Sequence, residues 1–196
     1  MGRRRIATDE EVLDAAVRSI TRHGLAQLTL AEVAAEAGLA APTLVQRFGS
    51  KRGLLLAVSR YLGAAVNQAF ESARARHRSA LAALADALRD MTMGVGTPGE
   101  IANHLSFLQL DLTDPEFRSL AQAHSRAFRT NVMALLRQAV EAGELQHDDV
   151  EGLARAVQVT FNGVLVQWAI DGDGSLEHAL RSEINRLLGS YNRRQH

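Results

Sequence analysis

The 196-residue sequence contains no cysteine. Disulfides, zinc–thiolate centres, iron–sulfur clusters and cysteine nucleophiles are thereby excluded. Proline occurs only three times and aromatic residues make up 5% of the chain, so little interrupts helix. No run of about 18 apolar residues is present, and no segment is expected to span a membrane. The chain opens with Met1-Gly2-Arg3-Arg4-Arg5, but Thr8-Asp9-Glu10-Glu11 stands where a secretory signal needs an apolar run. A cytoplasmic protein is the expectation. An excess of either charge is also missing: 22 Lys+Arg balance 22 Asp+Glu, which excludes a disordered acidic or basic tail protein.

What is present is ample apolar material, 46% of residues. That suffices for one large domain, or a small and a medium one, without disulfide or metal staples. The neutral sum conceals a gradient. Residues 1–62 hold nine basic and six acidic side chains, and the remaining 134 hold 13 and 16. A weakly basic front precedes a weakly acidic back.

Alanine and leucine dominate, and the few β-branched residues recur at helical spacing. The fold class read from this is all-α. Thr8 with Glu11, and Thr29 with Glu32, have the spacing of capping boxes. The first helix carries Val12, Leu13, Ala16, Val17 and Ile20 on one side and is expected to stop at Gly24. The second buries Leu30, Val33 and Ala34 and stops at Gly38. A short third helix runs from about Ala41 to Phe48, and Ser50 caps a long fourth. Further helices are expected at roughly 79–93, 100–111, 115–142, 149–171 and 175–191, with Asp114-Pro115 as a cap followed by proline at the first helical position.

The third helix has a mixed character. Leu44 and Phe48 share one face, with Leu39 just ahead; Ala41, Pro42, Val45 and Gln46 form the other, flanked by Thr43 and Arg47. Two short helices joined by a glycine turn read as helix-turn-helix, whose second helix enters the major groove. Lys51, Arg52 and the run Arg3, Arg4, Arg5 lie where phosphates are expected, and the N-terminus of the second helix offers backbone N–H groups. The bland alternative for such a helix is a solvated outer face.

The stretch Gly38-Leu39-Ala40-Ala41-Pro42-Thr43-Leu44-Val45-Gln46-Arg47-Phe48-Gly49-Ser50-Lys51 resembles the signature of TetR-family transcriptional regulators, Gly-Val-Ser-x-small-Thr-Leu-Tyr-x-His/Tyr-Phe-x-Ser-Lys. Ala15-Ala16, Gly24, Thr29-Leu30, Val33 and Ala34 fit as well, so the likeness covers residues 8 to about 58. Ala40 replaces the usual Ser, Val45 the usual Tyr, and Arg47 the usual His or Tyr. The resemblance implies a DNA-binding domain at 1–50 and a helical effector-binding and dimerisation domain at 51–196. Carried over by position, it assigns Thr29, Thr43 and Lys51 to phosphates, and Ala41, Pro42, Val45, Gln46 and Arg47 to the neighbourhood of bases.

For the back domain, Leu153, Val157, Val164 and Leu165, with Leu180, Ile184, Leu187, Leu188 and Tyr191, form apolar stripes expected at a homodimer interface. Internal core is the competing reading. Candidate effector-lining residues are Met91, His104, Phe107, Leu108, Phe128, Asn131, Phe161 and Trp168. The scarcity of basic clusters in apolar stretches favours a small neutral or hydrophobic effector. No cofactor, metal or catalytic residue is expected. The functional expectation is a ligand-responsive repressor released from a palindromic double-stranded DNA operator. The alternatives are a helical ligand carrier or adaptor without DNA binding, or a helical-bundle enzyme. Gly94-x-Gly96-x-x-Gly99 matches a dinucleotide fingerprint by letter but follows no strand, and Glu144-x-x-His147 is half of a di-iron motif.

Overall fold

The computed structural model describes residues 7–192, with side chains over 7–190. The described residues form nine α-helices and no strand: α1 (Asp9–Gln27), α2 (Leu30–Glu36), α3 (Ala41–Phe48), α4 (Lys51–Arg76), α5 (Ala80–Asp90), α6 (Pro98–Thr113), α7 (Pro115–Glu141), α8 (Val150–Asp171) and α9 (Leu176–Asn192). The chain is all-α, as its sequence pattern leads one to expect.

Helices begin where a side chain accepts from the first turn. Thr8 and Thr29 cap α1 and α2, and Glu11 and Glu32 reach back to the threonine N–H at 2.8 and 2.9 Å. Ser50 Oγ accepts from Gly53 N–H at 3.0 Å. Asp114 Oδ1 accepts from Glu116 N–H at 2.9 Å and so starts α7. These acceptors satisfy N–H groups that have no partner within the helix. The end of α1 differs from expectation. Gly24, at φ +79°, breaks the helical path, yet a further turn continues to Gln27.

Packing divides the chain into two compact units, Met1–Gly63 with Gly99–Ala121, and Ala64–Pro98 with Gln122–His196. Residues 51–63 and 99–121, which the sequence reading assigned to the second domain, therefore pack with the first. The core of the first unit gathers Val12, Ala16 and Ile20 of α1, Val33 and Ala34 of α2, Leu44 of α3, Leu54 and Val58 of α4, and Phe117 of α7. Two contacts fix the remaining edges of that unit. Asn103 Nδ2 donates to the Thr21 carbonyl at 2.9 Å, and Tyr61 Oη donates to Asp14 at 2.6 Å. The second contact, together with burial, pushes the Tyr61 hydroxyl up to about 12.

In the second unit, Phe70 and Ala73 of α4, Leu84 and Leu88 of α5, Val132 and Leu136 of α7, Leu153 and Val157 of α8, and Leu180 and Ile184 of α9 are buried. Glu144 supplies a remote cap to α5. Its carboxylate accepts from Ser79 Oγ at 2.7 Å and from the Ala80 and Leu81 N–H groups at 3.1 Å each. These donors, the Ser79 hydroxyl foremost, hold the carboxyl below its ordinary value. Asp86 accepts from Arg76 and His77 and pairs with Arg89.

α3 is too short to persist alone, since isolated helices under about 12 residues are marginal in water. Leu44 is its one buried residue and is fully enclosed. Leu44→Ala is expected to destabilise the protein by about 2–5 kcal/mol, read from urea unfolding followed by circular dichroism. For Glu144 the sign is set by its lowered pKa. The contribution is complete above the ordinary carboxyl value of 4.5 and disappears as pH falls through the folded-state value. Glu144→Gln is therefore expected to lower Tm at pH 7, with the gap to the parent protein closing at acid pH. A gap that stays constant across that range contradicts the assignment.

Candidate nucleic-acid interface

Leu44 points α3 inward, and the rest of the helix follows from the 3.6-residue period. Pro42 and Gln46 are exposed, Val45 is 50% exposed, and Ala41 and Thr43 are half-buried. Ala40 precedes the helix without a side-chain cap, and Pro42 sits in the first turn where no N–H is needed. At the other end Gly49, at φ +73°, turns the chain out of the helix, and its N–H bonds the Val45 carbonyl at 2.8 Å. Gly53 permits the tight step into α4, because a Cβ there would lie 2.0 Å from the Phe48 carbonyl oxygen.

The cations around α3 are engaged within the protein. Arg47 Nη1 donates to the Ala7 carbonyl at 2.8 Å and to Asp9 at 3.1 Å. The sequence placed Arg47 near bases; here its guanidinium is folded back onto the start of α1. Lys51 Nζ donates to the Leu25 carbonyl at 2.6 Å and the Ala26 carbonyl at 3.4 Å. The ammonium thus covers the last turn of α1, beyond the Gly24 break, where a positive charge is favoured. Thr29 is exposed, but its hydroxyl accepts from Glu32 N–H and donates to the Glu32 carboxylate at 3.0 Å. The N-terminus of α2 consequently already faces a carboxylate. Arg3, Arg4 and Arg5 lie outside the described residues.

Arg52 was named in the sequence only as a neighbouring basic residue. Its guanidinium donates to both Asp114 oxygens, at 2.9 and 3.0 Å, and to Glu116 at 2.9 Å, and stacks 5.6 Å from the Phe117 ring centre. Arg60 also pairs with Glu116, at 3.1 Å. The hydrogen bonds to Asp114 and Glu116 raise the Arg52 pKa, and the bond from Arg52 lowers that of Asp114. Arg18 and Arg22 meet at Glu36. Over residues 7–62 six basic and six acidic side chains balance, so the positive excess of the front segment is carried by Arg3, Arg4 and Arg5.

The expected effector-lining residues separate into two sets. His104, Phe107 and Leu108 lie on α6 in the first unit. His104 Nε2 is 2.8 Å from Thr21 Oγ1, whose hydroxyl also reaches the Val17 carbonyl, and burial lowers the histidine pKa. Phe107 packs on the first unit's core, and Leu108 is 49% exposed. The others belong to the second unit. Phe70, Phe128 and Phe161 form a chain of rings, with centroids 5.7 Å and 5.4 Å apart. Asn131 beside them accepts from Arg74 at 3.1 Å and donates to Asn67 at 2.8 Å. Met91 is half-buried at the end of α5. Trp168 is buried, donates to the Gly174 carbonyl at 3.3 Å, and borders a cavity of about 620 Å³ with Met93 and Leu176.

The residues expected at a dimer face differ in their exposure. Leu153, Val157, Val164, Leu180 and Ile184 are buried inside their own unit, and Leu165, Leu187 and Leu188 are half-buried. The side chain of Tyr191 lies outside the described ones. α8 is apolar on two sides, and its expected residues lie mostly on the side that packs against its own unit. Its outer side shows Val159 (64% exposed), Gly163, Val166 and Ile170 (72%) at spacings of four, three and four. That spacing is legible in the sequence. The glycine-rich segment after α5 is a loop leading into α6 at Pro98, and Glu144 is committed to capping α5, so both rival motifs are accounted for by structure.

Comparison with known proteins agrees with this architecture. Residues 12–58 match the model for bacterial regulatory proteins of the tetR family, and residues 78–189 match the BetI-type transcriptional repressor C-terminal model. The HTH-type transcriptional regulator BetI of Burkholderia cenocepacia (strain HI2424) is 30% identical over 185 residues, covering 92% of this chain and 93% of its own. A TetR transcription regulator from Haloarcula marismortui superposes with a TM-score of 0.77 at 19% identity, covering 93% of this chain and 96% of that one. The Bacillus subtilis regulator FadR in complex with stearoyl-CoA gives 0.67 at 19% identity, covering 92% and 98%. With its tethered short helix, its helical second unit and these matches along most of its length, the chain belongs to the TetR family of DNA-binding transcriptional regulators, and its C-terminal domain is of the BetI type.

Proposed function

We propose that this regulator is a cytoplasmic homodimeric repressor, without enzymatic activity, that a small effector releases from a two-fold symmetric operator. The observation that carries the reading is the division of α3 into one enclosed side chain, Leu44, and an outer face of Pro42, Val45 and Gln46 open to solvent. Such a helix is presented, not buried, and its small outer side chains allow close approach to base edges. Ala41 and Thr43 flank that face. Lys51 reaches phosphate with the N–H that its two carbonyl partners leave over, and Arg47 and Thr29 do so by exchanging internal partners. The second unit holds the effector and the dimer contact.

The dimer contact we assign to the outer stripe of α8, Val159, Gly163, Val166 and Ile170, because exposed apolar residues at heptad-like spacing suit helix–helix pairing. A groove of about 380 Å³ beside it is bordered by Thr160, Gln167, Ala179 and Glu183. Pairing on a two-fold axis presents two α3 helices to two half-sites about 34–36 Å apart. For the effector, the buried ring chain Phe70–Phe128–Phe161, with Asn131 and Arg74 near it, has to part to admit a molecule with an apolar body and a polar end. The stearoyl-CoA held by FadR, a regulator of like fold, is of that character. α4 is one unbroken helix from the Lys51 and Arg52 clamps to Phe70 and Arg74. An effector that favours one setting of this helix over another shifts DNA affinity by about 5–150-fold for a coupling of about 1–3 kcal/mol.

Two measurements test this reading. Fluorescence titration of duplexes from the gene's upstream region should show specific binding that weakens with salt, and replacing Arg3, Arg4 and Arg5 with alanine should flatten the salt dependence. An unchanged slope removes the assignment of these three arginines to phosphates. In sedimentation equilibrium at micromolar concentration the parent should be a dimer, and Ile170→Asp a folded monomer that has lost operator affinity. A dimer in both proteins places the interface elsewhere.

A further inference from the structure

The side chains that α3 offers are unusual in kind as well as position. Val45 keeps half its surface in water, Pro42 is exposed, and Ala41, half-buried and packed against the core, shows the remainder of its methyl one turn before Val45. Gln46 is the exposed amide among them. The guanidinium suited to reading guanine, that of Arg47, is tied to the Ala7 carbonyl and to Asp9, and Lys51 is tied to α1. What faces the groove is methyl and methylene surface with one carboxamide.

In the major groove only one base edge offers an apolar partner, the C5 methyl of thymine. A carboxamide pairs best with adenine, accepting from N6 and donating to N7. A G·C pair at the same place presents an amino donor and carbonyl and ring-nitrogen acceptors that valine cannot satisfy, and leaving such groups dry carries a penalty. Ala41 and Val45 are four residues apart, about 6 Å along the helix axis, which spans between one and two base-pair steps of about 3.4 Å.

Resting on the DNA-binding reading above, we propose that each operator half-site is specified by thymine methyl groups, contacted by Val45 and Ala41 on adjacent or next-adjacent base pairs, with Gln46 on a neighbouring adenine. Val45 is then a specificity-determining residue and the half-site has an A·T core beneath α3. The balance of charge in residues 7–62 agrees with this, because discrimination is carried by apolar contact and one amide.

The test separates this inference from DNA binding itself. The full-length protein selects from randomised duplexes, and each thymine of the recovered half-site is then replaced by deoxyuridine, which removes one methyl and leaves base pairing intact. At one or two thymines per half-site the affinity should fall about fourfold for each methyl removed, the value of one buried methylene. Val45→Ala, at an exposed position that leaves the fold intact, should bind thymine and deoxyuridine duplexes equally at its own base pair and still discriminate at Ala41's. Tight binding that no deoxyuridine substitution weakens, or recovered half-sites with G·C beneath α3, overturns the methyl readout and leaves the operator-binding function standing. Recovery of no preferred duplex overturns both.

Discussion

A single enclosed leucine decides where the reading helix sits. α3 has eight residues and buries only Leu44, so local hydrogen bonding cannot hold it. Leu44 joins the core cluster with Val12, Ala16, Val33, Ala34 and Leu54, and Ala41 and Phe48 pack against that cluster, which sets the helix orientation. The ends are then fastened by different chemistry. Arg47 ties the last turn to the start of α1, and Gly49 and Gly53 let the backbone double back closely into α4. Rigidity comes from this combination, and it leaves the outer residues Pro42, Val45 and Gln46 without structural duty.

The same economy governs charge. Arg18, Arg22, Arg47, Arg52 and Arg60 all have carboxylate partners, and Lys51 has carbonyl ones. Most of these pairs are exposed and individually contribute little to stability. Their effect is on what remains for a polyanion. A head whose described residues are neutral gains affinity by exchanging internal partners for phosphates or from the arginines at its start. Neither route distinguishes one sequence from another, which is why the proposed readout rests on the outer face of α3.

Much of this was legible from residues alone. Capping boxes at Thr8 and Thr29, the Ser50 and Asp114 caps and the position of Leu44 follow local rules, and the helices fell close to their expected limits because those rules involve residues three or four apart. Other contacts lie beyond such rules. Lys51 reaches Leu25, Arg47 reaches Ala7, and Glu144 reaches Ser79, and no local pattern encodes which distant acceptor a long side chain will find. α8 poses a different problem. A helix apolar on two sides has two equally periodic stripes, and periodicity cannot say which faces inward until the neighbouring helix is placed.

Asp114 shows how one residue joins two of these themes. Its Oδ1 starts α7 by accepting from Glu116 N–H, and the same carboxylate holds Arg52 in a two-pronged contact at the first turn of α4. Glu116 then extends the contact to Arg60, one face further along α4. The corner between α6 and α7 is therefore bound to the segment that immediately follows α3, within a single compact unit. A bidentate arginine–carboxylate pair has a fixed planar geometry, so it resists rotation of α4 about its axis more than a lysine pair of equal charge does. Any shift of the α6–α7 corner must either carry the first turn of α4 along or break this contact, and α3 is attached to that turn through Gly49 and Ser50. The cap of one helix is thus also a hold on another, through a carboxylate more than sixty residues away along the chain.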